Sequence, residues 1–344
     1  MTIGSSVRRV AAVLAVAALA GLALPLAEPA QAADNGAWSA APTKNGPFTP
    51  RQFFFFEMAP GQTIKDSITI KNSSDQPLNL DIYPADAFNT VVGAGFALRK
   101  LGDENKDVGS WVTVGKKRVS VPAGGEEKVP FAMTTPKGTT PGDHAGGIVT
   151  IEPAPSPVGG DSQVITRRAL GVRIYVRVAG PLTPSLTVTK VDLKVSPARL
   201  PFVGLQGGAS VTYTVQNTGN VRITADRVIT LKGQVGRTFH DTGKGPVPEI
   251  LPGSTVILSE SFAKMPVLSL VTARVELDGG VTDVSTAGDA TAWSISWVFL
   301  FILLLVFVAL GLAIWWSRRE PNVDGPRPAD AGPVAPEAEQ VGQP

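Results

Sequence analysis

The segment 167–178, RRALGVRIYVRV, alternates charged and apolar side chains in a way that could do binding chemistry. In a β-strand successive side chains point to opposite faces. Val172, Ile174, Val176 and Val178 therefore share one face, and Arg173, Tyr175 and Arg177 share the other, with Arg167 in the same phase. The valine face suits a core. The opposite stripe could hold carboxylates of peptide stems or phosphates of wall polymers, because guanidinium forks bind both bidentately and a tyrosine ring can stack on a sugar or peptide plane. The same stripe also suits a solvated strand face that carries charge for solubility or protects a sheet edge.

Other chemistries find little support. The chain has no cysteine, which removes thiolate nucleophiles, disulfides and Cys-ligated zinc, and only two histidines, His144 and His240. Asp103, Asn105 and Asp107 alternate oxygens as a calcium loop does, but Gly109 falls one place late and Val114 stands where a bidentate glutamate is needed. They read as a polar hairpin loop, and no metal or cofactor is expected. His144 lies among turn residues beside Asp143, whose side chain would point the other way along a strand, and no nucleophile motif, P-loop or zinc motif occurs. The chain is expected not to be an enzyme, although a pair of glycan-cleaving carboxylates would leave no local signature. A formal net charge of +2 excludes a dense basic face for nucleic acid. The four rings Phe53 to Phe56 precede a strand and need cover on both faces, from a core and a neighbouring module or from a docked partner. Lys116, Lys117 and Arg118 read as a turn between strands.

The elements that must position these residues are strands. Period-two alternation recurs at 64–70, 78–82, 119–121, 172–178, 186–195, 211–215, 256–258 and 271–277, separated by Pro, Gly, Asn and Asp clusters. An all-β ectodomain of two tandem immunoglobulin-like β-sandwiches follows. A weak internal repeat supports two modules: PGQTIKDSITIKNSSDQPLNL and QGGASVTYTVQNTGNVRITA share a turn, an alternating strand, an asparagine (Asn72 or Asn217) and a polar turn. The later phrases VSVPAGGEEKVPFAMTTP and EILPGSTVILSESFAKMP match in punctuation. Asn suits such sites through its side-chain turn bonds and its tolerance of left-handed backbone.

Two apolar runs fix the compartments. Residues 1–32 carry Arg8 and Arg9, a short apolar stretch and Ala30-Gln31-Ala32, the pattern of a cleavable export signal. The run from Trp297 to Trp316 has no charge, is flanked by tryptophans and is followed by Arg318 and Arg319, which reads as one transmembrane α-helix with its positive flank inside. The expected organisation is a signal peptide (1–32), a flexible segment (33–47), a first sandwich (48–180), a second sandwich (181–285), a juxtamembrane linker (286–292), the helix (293–316) and a disordered cytoplasmic tail (317–344). Between 33 and 292 there are 26 Lys and Arg against 23 Asp and Glu, so the ectodomain is nearly neutral.

In the order of four phrases the first module resembles the peptidoglycan-binding domain of the WxL-interacting protein family. The phrases are FFFFEMAPGQTIKDSITIKNSSDQPLNLDIYPADAFNT, then WVTVGKKRVSVPAGGEEKVPFAMTTPKGTTPGDHAGGIVTI, then the Pro/Gly loop 153–161, then RRALGVRIYVRV. The pairing of VPAGGEEKVPFAM with GVRIYVRV is also similar, more broadly, to immunoglobulin-like pilus chaperone domains. The family resemblance implies a single-pass membrane protein whose first domain contacts peptidoglycan or another wall polymer and whose second contacts a surface or exported protein partner. A membrane-held chaperone acting by strand addition is the alternative, and a wall hydrolase the third reading.

Overall fold

β-branched and aromatic residues at period two leave each strand with one face to bury, and two sheets meeting over those faces satisfy it. The computed structural model describes residues 38–44, 51–153, 167–197, 207–234 and 236–318. The expected export signal, most of the 153–161 loop and the tail beyond 318 lie outside the described residues.

The first sandwich contains β1 (Trp38–Pro42), β2 (Phe54–Met58), β3 (Thr63–Asn72), β4 (Leu78–Asn89), β5 (Phe96–Leu98), a helical turn α1 (Val108–Trp111), β6 (Val112–Val114), β7 (Arg118–Val121), β8 (Glu126–Thr134), β9 (Gly142–Ile151) and β10 (Ala169–Val178). One sheet has the order β1-β3-β8-β6 and the other β2-β10-β9-β4-β5, with β7 also on β4. Their facing sides enclose a core of Phe54, Ile68, Ile70, Leu80, Met133, Ile148 and Ile174, with Val172, Val176 and Val178 contributed by β10.

The second sandwich contains β11 (Leu186–Ser196), β12 (Gly207–Asn217), β13 (Asp226–Gly233), β14 (Thr238–Asp241), β15 (Gly245–Pro246), β16 (Thr255–Met265), β17 (Leu268–Asp278) and β18 (Ser285–Ile295), followed by the helix α2 (Trp297–Ser317). Sheet β11-β12-β16 faces sheet β14-β13-β17-β18, with β15 on β13, over Val211, Tyr213, Val215, Ile229, Leu231, Val256 and Val275. None of the side chains of α2 is buried, and the helix is long and apolar enough to cross a membrane.

Three expected boundaries move. Residues 38–42, expected in a flexible segment, form a strand along β3, anchored by Trp38, whose indole Nε1 donates to Thr150 Oγ1 at 3.1 Å. The expected linker 286–292 is the middle of β18, which runs to Ile295 because every residue from 285 to 295 pairs with β17. The expected helix start at 293 moves to Trp297. Ser296 caps the helix by accepting from the Phe299 amide at 3.3 Å, and Trp293 stays in the strand.

The internal repeat is a shared corner. Asn72 and Asn217, both fully buried, each turn Nδ2 toward the carbonyl four residues on, Gln76 at 2.7 Å and Val221 at 2.8 Å. Each also donates to the end of a later segment, Val121 O at 3.1 Å and Ile250 O at 3.0 Å, and accepts from the amide two residues on, at 3.0 Å in both cases. Neither has positive φ; the left-handed positions are Gly124 (φ 64°) and Gly253 (φ 72°) in the partner turns. The side-chain half of the expectation for these asparagines stands, and the backbone half moves to the glycines.

Candidate functional site

The outer face of the sheet holding β4, β9 and β10 divides into an open groove at one end and a covered junction at the other. Small residues make the floor of the groove. The register sets Gly147 opposite Arg173, Val149 opposite Gly171 and Ile151 opposite Ala169. With no side chain at Gly147 and Gly171, Leu98 of β5 lies flat on the sheet: a Cβ would stand 2.8 Å from its Cδ1 at Gly147 and 2.5 Å at Gly171.

The result is an open cavity of about 580 Å³ lined by Tyr83, Phe96, Lys100, Arg167 and Arg173 among others. The Arg173 guanidinium lies over the Phe96 ring, 4.5 Å from its centroid, a cation–π contact that holds it at the rim. Arg173 and Lys100 are exposed and, among the described residues, face no carboxylate in an ion pair. Arg167 is tied down: Nε donates to Glu152 O at 2.8 Å and a guanidinium nitrogen is 3.9 Å from Asp81. The Arg118 hydrogen bond holds the Asp81 carboxyl below its ordinary pKa, so this acid is already spoken for. Burial raises the Tyr83 phenol. Such a groove can hold an extended anionic ligand with apolar or sugar faces, stacked against rings and forked by cations.

The other half of the stripe is covered by the second domain. Tyr175 is only 3% exposed, and its hydroxyl donates to Glu249 Oε2 at 3.0 Å. Burial first, then the Glu249 charge, raises its pKa. Arg222 lies over the Tyr175 ring at 4.2 Å and pairs with Glu249 at 3.1 Å. Arg177 forks the buried Asp143 carboxylate at 2.7 and 2.9 Å, and the Arg222 amide donates to the same carboxylate at 3.0 Å. The Phe run is covered on one side and partly open on the other: Phe54 enters the core and Phe56 packs against it, while Phe53, edge-on to Tyr175 at 5.4 Å, and Phe55, under Arg177 and Arg222, stay exposed.

A second contact crosses the junction. The loop after β4 runs along β16, with Gly93 N donating to Ile257 O at 2.9 Å and Ile257 N to Val91 O at 2.6 Å, and Ala94 is buried in the second core. Asn89 adds bonds to Glu249 O and from Leu251 N, both at 2.8 Å.

The four stripe residues thus fall in two places, Arg167 and Arg173 in the groove and Tyr175 and Arg177 in the junction. Phe96, Lys100 and Tyr83 were not singled out from the sequence; the hairpin glycines before Phe96 were the available signal. Asp103, Asn105 and Asp107 hold their own loop: Asp103 accepts from Lys100 N, Asn105 from Asp86 N, and Asp107 from His144. Among the described residues no cluster of His, Asp and Glu is arranged to hold a metal.

Comparison with known proteins adds a family match. Residues 43–152, about a third of the chain, match the model of the WxL Interacting Protein, peptidoglycan binding domain. Solved structures that superpose on the chain include a chaperone–tip adhesin complex of CFA/I fimbriae (10% identity, 75% of this chain and 98% of that one, TM-score 0.33). Others are the CupB2 chaperone of Pseudomonas aeruginosa (12%, 70% and 97%, 0.29) and the class 5 fimbriae chaperone CfaA (10%, 70% and 95%, 0.30). A search of curated proteins finds no match.

Proposed function

We propose that this chain is a membrane-anchored, non-catalytic cell-surface protein that holds peptidoglycan in the groove of its first sandwich and a protein partner through its second sandwich or an exposed sheet edge. The helix α2 keeps both sites at the membrane, with the sandwiches outside facing the wall and the tail in the cytoplasm, which raises the local concentration of one bound partner near the other. The observation that carries this reading is the pair of uncompensated cations, Arg173 on Phe96 and Lys100, in a sandwich whose sequence matches a peptidoglycan-binding domain. Peptide stems of peptidoglycan offer carboxylates to such cations, and its sugars offer apolar faces to Phe96 and Tyr83.

Strand addition at β10 has only the stretch 169–173 to work on, on the side of β2. β2 pairs in parallel with residues 174–178 along one side, and β9 pairs antiparallel with the whole strand along the other. An extended partner would use that stretch or an outer strand such as β2, which ends its sheet.

The test is sedimentation of the full chain in mild detergent with purified sacculi, comparing the parent with the double variant Arg173→Ala, Lys100→Ala. Equal recovery in the pellet would remove the groove from the reading. Release of soluble muropeptides by the parent would replace binding with hydrolysis.

A further inference from the structure

The end of the second sandwich that carries the helix has an unusual surface. No linker separates them: β18 ends at Ile295, Ser296 is the cap, and α2 begins at Trp297. The turn between β16 and β17 is bonded to the same point, with Ser296 N donating to Val267 O at 2.8 Å and Ser294 Oγ to Pro266 O. This turn therefore faces the plane from which the helix departs. Beside it Leu268 is 49% exposed, Trp293 57% and Trp297 77%, large apolar groups with no protein to cover them.

The charges at this end are of one sign. Lys194 of β11, Lys232 of β13 and Lys264 of β16 each lie within two residues of the end of their strand nearest the helix, and Arg237 lies in the turn joining β13 to β14. All four are exposed, and none is in an ion pair among the described residues. No Asp or Glu occurs in the last three described residues of any strand at this end, whereas Asp226, Glu249, Asp278 and Asp283 gather at the opposite end. A rim of tryptophan and leucine ringed by cations is the composition that suits the headgroup zone of a bilayer with anionic lipids, where indoles partition and basic side chains meet phosphates.

We infer that this end of the second sandwich is a seat for an anionic phospholipid surface, so that the domain rests on the leaflet that α2 enters. The inference rests on the reading of α2 as a membrane span, and the occupant is fixed by continuity with it: the rim begins where the helix leaves the fold. The seat is a second membrane contact, separate from the span.

Because the chain has no cysteine, single spin labels can be placed without background. The full chain is reconstituted in vesicles of equal parts phosphatidylglycerol and phosphatidylcholine, and in phosphatidylcholine alone, with labels at Leu268→Cys, Val306→Cys or Val92→Cys. Collision with oxygen and with a water-soluble nickel chelate reads depth. In anionic vesicles label 268 is expected at headgroup depth, several-fold less accessible to nickel than label 92, and its nickel access rises in neutral vesicles and in the charge-reversed Lys232→Glu, Arg237→Glu, Lys264→Glu variant. Label 306 is expected in hydrocarbon throughout. If 268 is as open to nickel as 92 in anionic vesicles while 306 stays in hydrocarbon, the seat is wrong and the span survives. If 306 is in water, the span itself fails and the seat falls with it.

Discussion

Arg173 and Arg177 are the same residue type on the same face of one strand, four positions apart, and they do different work. Arg173 is exposed over Phe96 with no carboxylate among the described residues, whereas Arg177 is spent on the buried Asp143 beside Arg222 of the second domain. The contrast teaches that alternation decides which side chains share a face, and the chain elsewhere decides what covers it. The half of β10 near the second domain is structural, and the half that begins about 13 Å further along, at roughly 3.3 Å per residue, is open to solvent.

The sharpest way to break the contrast is at Asp143. Asp143→Ala leaves Arg177 and the Arg222 amide without their shared acceptor; since both arginines keep some water, the loss belongs near the low end for a broken buried pair, about 3 kcal/mol. Chemical denaturation should show the drop, with wall binding per folded molecule unchanged. Gly142→Ala comes next. Gly142 has φ 124°, and a Cβ there would lie 2.3 Å from Asn220 O, so the two domains must separate locally at a cost of about 2 kcal/mol. Faster proteolysis between the domains is the readout, and an unchanged digestion pattern would contradict the close approach.

At the other end, Arg173→Ala should alter stability by no more than about 0.5 kcal/mol while weakening wall binding about tenfold, the equivalent of one charge-assisted hydrogen bond. A variant that binds normally would make the two halves of the strand alike. The smallest effect is one of pH. His144 Nδ1 sits 2.8 Å from Asp107, and although burial opposes the charged ring, the Asp107 bond and charge outweigh it and raise the pKa above 6.5. A group whose pKa is raised on folding contributes fully below its unfolded value and loses that contribution as pH rises through the folded one. Melting temperature should therefore fall slightly across that window in the parent, and the slope should flatten in Asp107→Asn.

Much of this could be read in the residues. The strands with strong alternation, the paired corners at Asn72 and Asn217 and the apolar helix are local signals, and local signals survive translation into structure. The misses share a physical cause. β18 reads STAGDATAWSI, small and polar with few large apolar residues, because it is only half covered, so its period is faint. β1 is short and pairs only with β3, so little in WSAAP announces it. Tyr175 looked outward because nothing within β10 could report Glu249 and Arg222, 74 and 47 positions later. The groove needed Phe96 and Lys100 brought over by a hairpin, a juxtaposition no single segment contains.

The direct run of β18 into the helix has a mechanical meaning. On the proposed function, tension between a first domain held in the wall and a helix held in the bilayer would enter the second sandwich at the start of β11 and leave at the end of β18. Both strands are pulled along their axes, β11 against β12 across ten registered pairs and β18 against β17 across eleven. Pulled this way the ladders are sheared all at once, and no pair at an end can open ahead of the rest as in a zipper. On that reading the domain would act as a clamp for a chain stretched between two fixed surfaces.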